Sequence, residues 1–292
     1  MTGMSLIGGA AVADELTAPQ PGPRRRRWRG ERQPAWRRTI LFLALVFYLI
    51  PLLCSIKFSL LDHSGGYGLS NYTAIFHSAA LRDALYLSLE IAVISAVLVV
   101  ALVLPTTVLV RLKLPKLRIL MDIVTILPLV VPPIVLAAGL SEMEASSPLW
   151  VVKLFFNHPI TCLAPVYTVL ALPLVYRAVD NGLRALDLHT LVEASRSLGS
   201  GWISTIVRVI LPNVQTAVLG GMFLTIAMVL GELVIASQML YNTFPTEMVL
   251  FSQAQNTPGI SVALTLMALL FTFLLLFSLT FLARRHGRTS TR

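Results

Sequence analysis

The 292 residues carry a net charge of +9, yet only 13% are charged, 56% are hydrophobic and the mean hydropathy is +0.78. A soluble domain carries about a quarter charged residues, so this composition excludes an ordinary water-soluble chain and places most residues in a non-aqueous solvent. The positive charge collects at the ends of apolar runs instead of spreading over a face, which argues for membrane topology and against a nucleic-acid partner.

Taken in chain order, residues 1–38 are rich in small residues, Pro and Gly, and end in RRRRWRGERQPAWRR. They read as a disordered, basic tail lying against anionic lipid headgroups. The apolar run that follows is too long for the core of a signal peptide and has no small-residue cleavage site behind it. A helix needs about 20 predominantly apolar residues to cross a bilayer. Six stretches meet that length, near residues 39–59, 84–110, 119–140, 161–179, 213–240 and 260–283. The third contains Pro128, Pro132 and Pro133 and is predicted to be bent or broken; the fourth is short and interrupted by Pro165 and Pro173. Such prolines persist in a membrane only where protein or a water-filled cavity satisfies the freed backbone groups. In the fifth, Gly220, Gly221 and Gly231 are expected at close helix contacts.

With the N-terminus inside, twenty Lys and Arg side chains fall on inner segments, and only Lys57, Arg82 and Lys153 fall outside. The positive-inside rule then puts both termini in the cytoplasm, the second as a short tail, 284–292. The expected fold is an all-α membrane protein: six transmembrane helices over 39–283, with one long cytoplasmic loop, about 180–212, between spans 4 and 5. Cys54 and Cys162 are far apart in apolar stretches, which fits structural thiols and no disulfide framework. His63, His77, His158, His189 and His286 have no metal-ligand spacing, so no metal is expected. Asp122 and Asp180 read as boundary residues near cytoplasmic ends.

The long connection reads YRAVDNGLRALDLHTLVEASRSLGSGWISTIVRVILP. Asp187 or Thr190 is suited to cap a helix, and Thr190 with Glu193 fits a capping box. Leu186, Leu188, Leu191, Ala194 and Leu198 predict an apolar face at helical spacing, ended by Gly199 and Gly201. A second helix is predicted from Trp202 to Pro212, with Ile203, Ile206, Val207 and Ile210 on one side. These apolar faces need a partner, whether lipid, the bundle or another protein.

Glu193-Ala194-Ser195, three residues, Gly199, nine residues, Val209, one residue and Leu211-Pro212 resemble the coupling motif of ABC importer permeases. The family pattern is E-A-A, three residues, G, nine residues, I, one residue, L-P; Ser195 and Val209 are the departures, both conservative in shape. The resemblance implies that Glu193, Ala194 and Gly199, with Ser195, Leu198, Val209, Leu211 and Pro212, form a docking element for a separate ATPase. It also implies two ATP-binding subunits, a second permease subunit (copy or homologue), an extracytoplasmic substrate-binding protein and a prokaryotic plasma membrane. No G-x-x-x-x-G-K-[ST] occurs, so the chain is expected to have no nucleotide site or cofactor of its own, ATP and magnesium belonging to the partner.

The flanking PLVYRAVDNGLRALD and LGELVIASQML look like the polyamine-type branch, which shades into permeases for phosphonate, sulfate, molybdate, thiamine and iron. Glu90 and Glu232 both fall roughly 10–12 Å inside the outer boundary, at ~1.5 Å per helical residue. An ionisable group at membrane depth costs roughly 2.5–3.5 kcal/mol even on a lenient insertion scale, so each is expected to meet a partner or line the path of a cationic solute. The outer segment 148–159, with Trp150, Phe155 and Phe156, fits a membrane interface or a contact with the binding protein. A secondary transporter of a small cation is the competing reading; it has no need of the 193–212 loop.

Overall fold

The computed structural model describes residues 35–61, 66–255 and 258–289; the expected disordered tail before residue 35 and the last three residues lie outside them. Every regular element among the described residues is helical, and one antiparallel bridge joins Leu61 to Tyr67. This is an all-α membrane protein.

The chain divides into two units, residues 1–51 and 52–292. The first is described from Ala35 and holds the front of helix α1 (Ala35–Ser59). Its side chains are almost all exposed, Trp36, Phe42, Phe47 and Tyr48 among them. An apolar helix bare on every side needs lipid or another chain as its solvent. The helix begins at Ala35, so Trp36 and Arg37 belong to it and not to the tail expected to run to residue 38.

The second unit is built from α2 (Ser70–His77), α3 (Ala79–Lys113), α4 (Arg118–Val130), α5 (Pro133–Ser146), α6 (Trp150–Phe156), α7 (Pro159–Arg184), α8 (Leu188–Ser197), α9 (Trp202–Asn213), α10 (Gln215–Leu230), α11 (Val234–Gln238), α12 (Phe244–Gln255) and α13 (Pro258–Thr289). Helices α3, α7 and α10 pack on one another and carry the core. One layer joins Ile91, Ala92 and Ala96 of α3 to Leu163 and Tyr167 of α7, Ile226 and Val229 of α10, and Ile235 of α11. The other joins Val99, Val103 and Val108 to Val175, Val179 and Leu183, and takes in Leu188 and Val192 of α8 and Ile206 and Ile210 of α9.

Three helices are long and apolar enough to cross a membrane, in Thr39–Ser59, Ala79–Lys113 and Pro159–Arg184, and two bent pairs raise the number to five among the described residues. The expected third span is one such pair, Pro115–Val130 and Pro133–Ser146, turned by 87°. Val131 and Pro132 are extended there, because paired prolines remove two donors and push the preceding residue out of helix. The expected fifth span, 213–240, departs further: α10 stops at Leu230, and α11 restarts at Val234. The sixth stretch, 260–283, lies within one helix that runs on to Thr289, past the predicted start of the tail at 284.

Close approach of α7 and α10 rests on two glycines. A Cβ on Gly182 would lie 2.6 Å from Cβ of Ala217, and one on Gly221 would lie 3.4 Å from Cα of Val175. Of the three glycines predicted to pack, Gly220 has open space and Gly231 faces only the carbonyls of Ala227 and Met228. The tightest site, Gly182, belongs to the opposite helix. Gly182→Val is therefore expected to lower stability by about 1–3 kcal/mol through overpacking, while Gly220→Ala stays near neutral. Thermal unfolding of the two detergent-purified variants beside wild type checks this.

Candidate functional site

The segment 185–214 leaves α7, forms α8 and α9, and turns by 85° into α10. Asp187 starts α8. Its carboxylate accepts from the backbone N–H of Thr190 at 3.4 Å and from the Thr190 hydroxyl at 2.6 Å. Thr190 is thus a donor to the cap, and the capping box predicted between Thr190 and Glu193 does not form. The Thr190 hydroxyl, followed by its backbone N–H, holds the Asp187 carboxyl below its ordinary range.

At the other end, α8 stops on a left-handed residue. Gly199 has φ +81°, its N–H donates to the Arg196 carbonyl at 2.9 Å, and Ser200 N–H donates to the Ser195 carbonyl at 3.2 Å. A side chain there would be strained, although a Cβ would meet nothing of this chain within 4 Å. Two side-chain contacts then fix α9 against its surroundings. The hydroxyls of Ser195 and Thr205 are 3.0 Å apart and buried, and the Lys113 ammonium lies 5.7 Å from the centre of the Trp202 ring. Along Ile206–Ile210 the helix widens by a π-type turn.

Of the predicted apolar face of α8, Leu188 is buried, Leu186 and Leu191 are half-buried, and Ala194 and Leu198 are exposed; Val192 and Ser195 complete the buried stripe. Glu193, Ala194, Leu198 and Gly199 all face outward, and Leu198 is 87% exposed. The predicted face of α9 divides: Ile206 and Ile210 enter the core, while Ile203 and Val207 are exposed. Ile203 and Val207 line an apolar cavity of about 910 Å³ with Ala101, Pro105, Leu211 and Phe223. Val209 and Leu211 are half-buried and Pro212 is exposed. One rigid hairpin of helices therefore presents a bare face carrying Glu193, Ala194, Leu198 and Gly199.

The model of the family described as binding-protein-dependent transport system inner membrane component matches residues 105–288, well over half of the chain. The chain belongs to this family. A segment of 84 residues is also 37% identical to the phosphate transport system permease protein PstA 1 of Mycobacterium tuberculosis, strains CDC 1551 / Oshkosh and ATCC 25618 / H37Rv. That match covers 29% of this chain and spans 27% of the length of those relatives.

In this inner membrane component the two intramembrane acids have different surroundings. Glu232 lies in the break between α10 and α11. Its carboxylate accepts from the Tyr167 hydroxyl at 2.7 Å, from Ile235 N–H at 2.9 Å and from Ala236 N–H at 3.4 Å. It caps α11 and ties it to α7, which explains why the expected fifth span ends early. Glu90, three turns into α3, is exposed, and its carboxylate has no partner among the described residues. The structure does not bring the two together through any hydrogen bond. In the segment 148–159, Trp150 is exposed, while Phe156 is buried edge-on to Phe155 and its carbonyl accepts from the Tyr241 hydroxyl at 2.6 Å.

Sequence reasoning missed the most highly charged cluster of the described residues. Asp180 of α7 is buried, with only 7% of its side chain exposed. It accepts from Arg111 of α3, whose Nε lies at 2.8 Å, and from Arg184, whose Nε lies at 2.9 Å. The i,i+4 spacing of Asp180 and Arg184 was legible. The 69-residue separation from Arg111 was not.

Hydrogen exchange provides two checks. Gly199→Ala is expected to cost about 1 kcal/mol at this positive φ, seen as faster exchange over the end of α8 with the core unchanged. The cap at Asp187, its carboxyl depressed, stabilises α8 fully above the ordinary carboxylate range. That contribution is lost as pH falls through the depressed folded value. Asp187→Ala should abolish it already at neutral pH, so that the first turn of α8 exchanges several-fold faster.

Proposed function

We propose that this chain is the permease subunit of an ATP-driven importer, forming half of a translocation pathway and driven through α8 by a separate ATPase. The observation that carries the reading is the outward face of Glu193, Ala194, Leu198 and Gly199 on a hairpin whose opposite side enters the core. A docking element must be bare on one side to receive a partner and fixed on the other to pass on its movement. Family membership over residues 105–288 supports the same reading. Its partners are then two ATP-binding subunits, a second permease subunit and an extracytoplasmic binding protein. Both termini lie in the cytoplasm of a prokaryotic cell, and ATP and magnesium are held by the partner.

For the solute, the polyamine-type flanking sequence and the unpartnered carboxylate of Glu90 favour a small organic cation drawn along the exposed face of α3. Glu232, with three donors already on its carboxylate, serves in this reading to hold the break in shape. Phosphate is the second reading, favoured by the 37% identity to a protein named as a phosphate transport permease.

Co-purification of the full chain with an ATPase bearing a Walker-A motif tests the subunit assignment. Glu193→Lys and Gly199→Asp should each reduce capture at least tenfold, while Gly220→Ala leaves it unchanged. Capture that survives both substitutions refutes docking through α8. Proteoliposomes of the complex, offered labelled spermidine and labelled phosphate with their binding proteins, then decide the solute. Glu90→Gln should lower spermidine uptake several-fold; wild-type uptake of phosphate alone would replace the cation reading.

A further inference from the structure

Asp180 lies where three helices end or begin. Arg111 is in the last turn of α3, Arg118 opens α4, and Arg184 closes α7, three residues before the cap of α8. Arg111 donates to Oδ1 of Asp180 through Nε and Nη2, and Nη2 also reaches the Asp180 backbone carbonyl at 3.1 Å. Arg184 takes Oδ2 through Nε at 2.9 Å and Nη2 at 2.8 Å, and Arg118 Nη2 lies 3.9 Å from the same oxygen. One turn deeper, the Tyr176 hydroxyl donates to Asp122 of α4 at 2.8 Å, repeating the tie between α7 and α4. A hollow of about 270 Å³ lies beside the cluster, lined by Arg111, Arg118, Leu186 and His189.

The energetics of such a cluster are unusual. A buried ion pair gives little net stability, since desolvation consumes most of the attraction. Its consequence is geometric: with both oxygens engaged by donors from α3 and α7, any slip of one helix against another leaves a guanidinium or the carboxylate uncompensated. The apolar layer beneath offers no such selectivity, because valines can slide past valines at small cost. The cluster stands where α7 runs into α8, at the covalent root through which movement of α8 reaches α7.

We infer that Asp180 is a positioning residue for coupling: it locks the root of the α8–α9 hairpin to α3 and α4, so that force on α8 moves the helices as one body. This rests on the docking reading above and deepens it by naming the joint. Asp180→Asn would keep shape and some hydrogen bonding while removing the charge. The hairpin would remain folded on Leu188, Val192, Ile206 and Ile210, but with a loose root.

The test uses the full chain in lipid nanodiscs, spin-labelled at His189 of α8 and Leu102 of α3, both exposed. Pulsed dipolar spectroscopy should give a narrow distance distribution for wild type, at least twofold broader in Asp180→Asn and restored in Asp180→Glu. An unchanged width in Asp180→Asn overturns the inference. In the assembled transporter, Asp180→Asn should retain ATPase capture and ATP hydrolysis within threefold yet lower solute uptake at least tenfold. Uptake, hydrolysis and capture falling in parallel would indicate a folding defect and overturn it too. A wild-type chain that captures no ATPase would sink the docking reading, while the spectroscopic arm still judges the joint.

Discussion

The apolar seam between the α8–α9 hairpin and the long helices is the contact on which the rest depends. Val192, Ile206 and Ile210 sit in the same layer as Val103, Val108, Val175 and Val179. A connection between membrane helices would ordinarily stay at the surface, because its backbone groups need water. Here the groups are satisfied within two short helices, and this frees one side of the segment to enter the core. The hairpin thereby becomes part of the bundle and not an appendage. Polar ties at its corners, Asp187 to Thr190, Ser195 to Thr205 and Lys113 to Trp202, set its angle without supplying much of its stability.

The same logic recurs where the helices break. Val131 and Pro132 interrupt the third stretch, and Gly231 to Leu233 interrupt the fifth. In the second case a single carboxylate meets two freed N–H groups and a tyrosine hydroxyl, so the gap costs little in an apolar surround. The short helix α11 produced by that gap packs on α5, itself the product of the proline break. Two interruptions far apart in sequence are therefore one structural event.

Much of this was legible in the residues, and the misses have physical causes. Composition and charge placement gave the membrane class, and the spacing from Glu193 to Pro212 gave the family later matched over 105–288. Proline pairs predicted the break in the third stretch. Helical spacing alone, however, placed Leu188 correctly and missed the rest of the buried stripe of α8. From Leu188 onward Leu191, Ala194 and Leu198 form as good an apolar row as Val192 and Ser195, and only the tertiary hydroxyl pair Ser195–Thr205 and the packing of Val192 decide between them. Glu232 was expected to meet a partner or line the path; its hydropathic setting reports depth, and the donors that meet it, Tyr167 and the next turn, come together only in the packed bundle. Asp180 looked like a boundary residue because its decisive partner, Arg111, is distant in sequence and adjacent only once α3 and α7 are packed.

Leu198 carries a consequence for the life of the chain before assembly. A leucine almost fully bare at the tip of a hairpin, beside a glycine with open space around it, is an adhesive spot. If α8 docks as proposed, a copy made before its partner displays that spot, and chaperones and proteases bind exposed apolar side chains. On the proposed docking, the same bare leucine that receives the partner would also mark a subunit left without one.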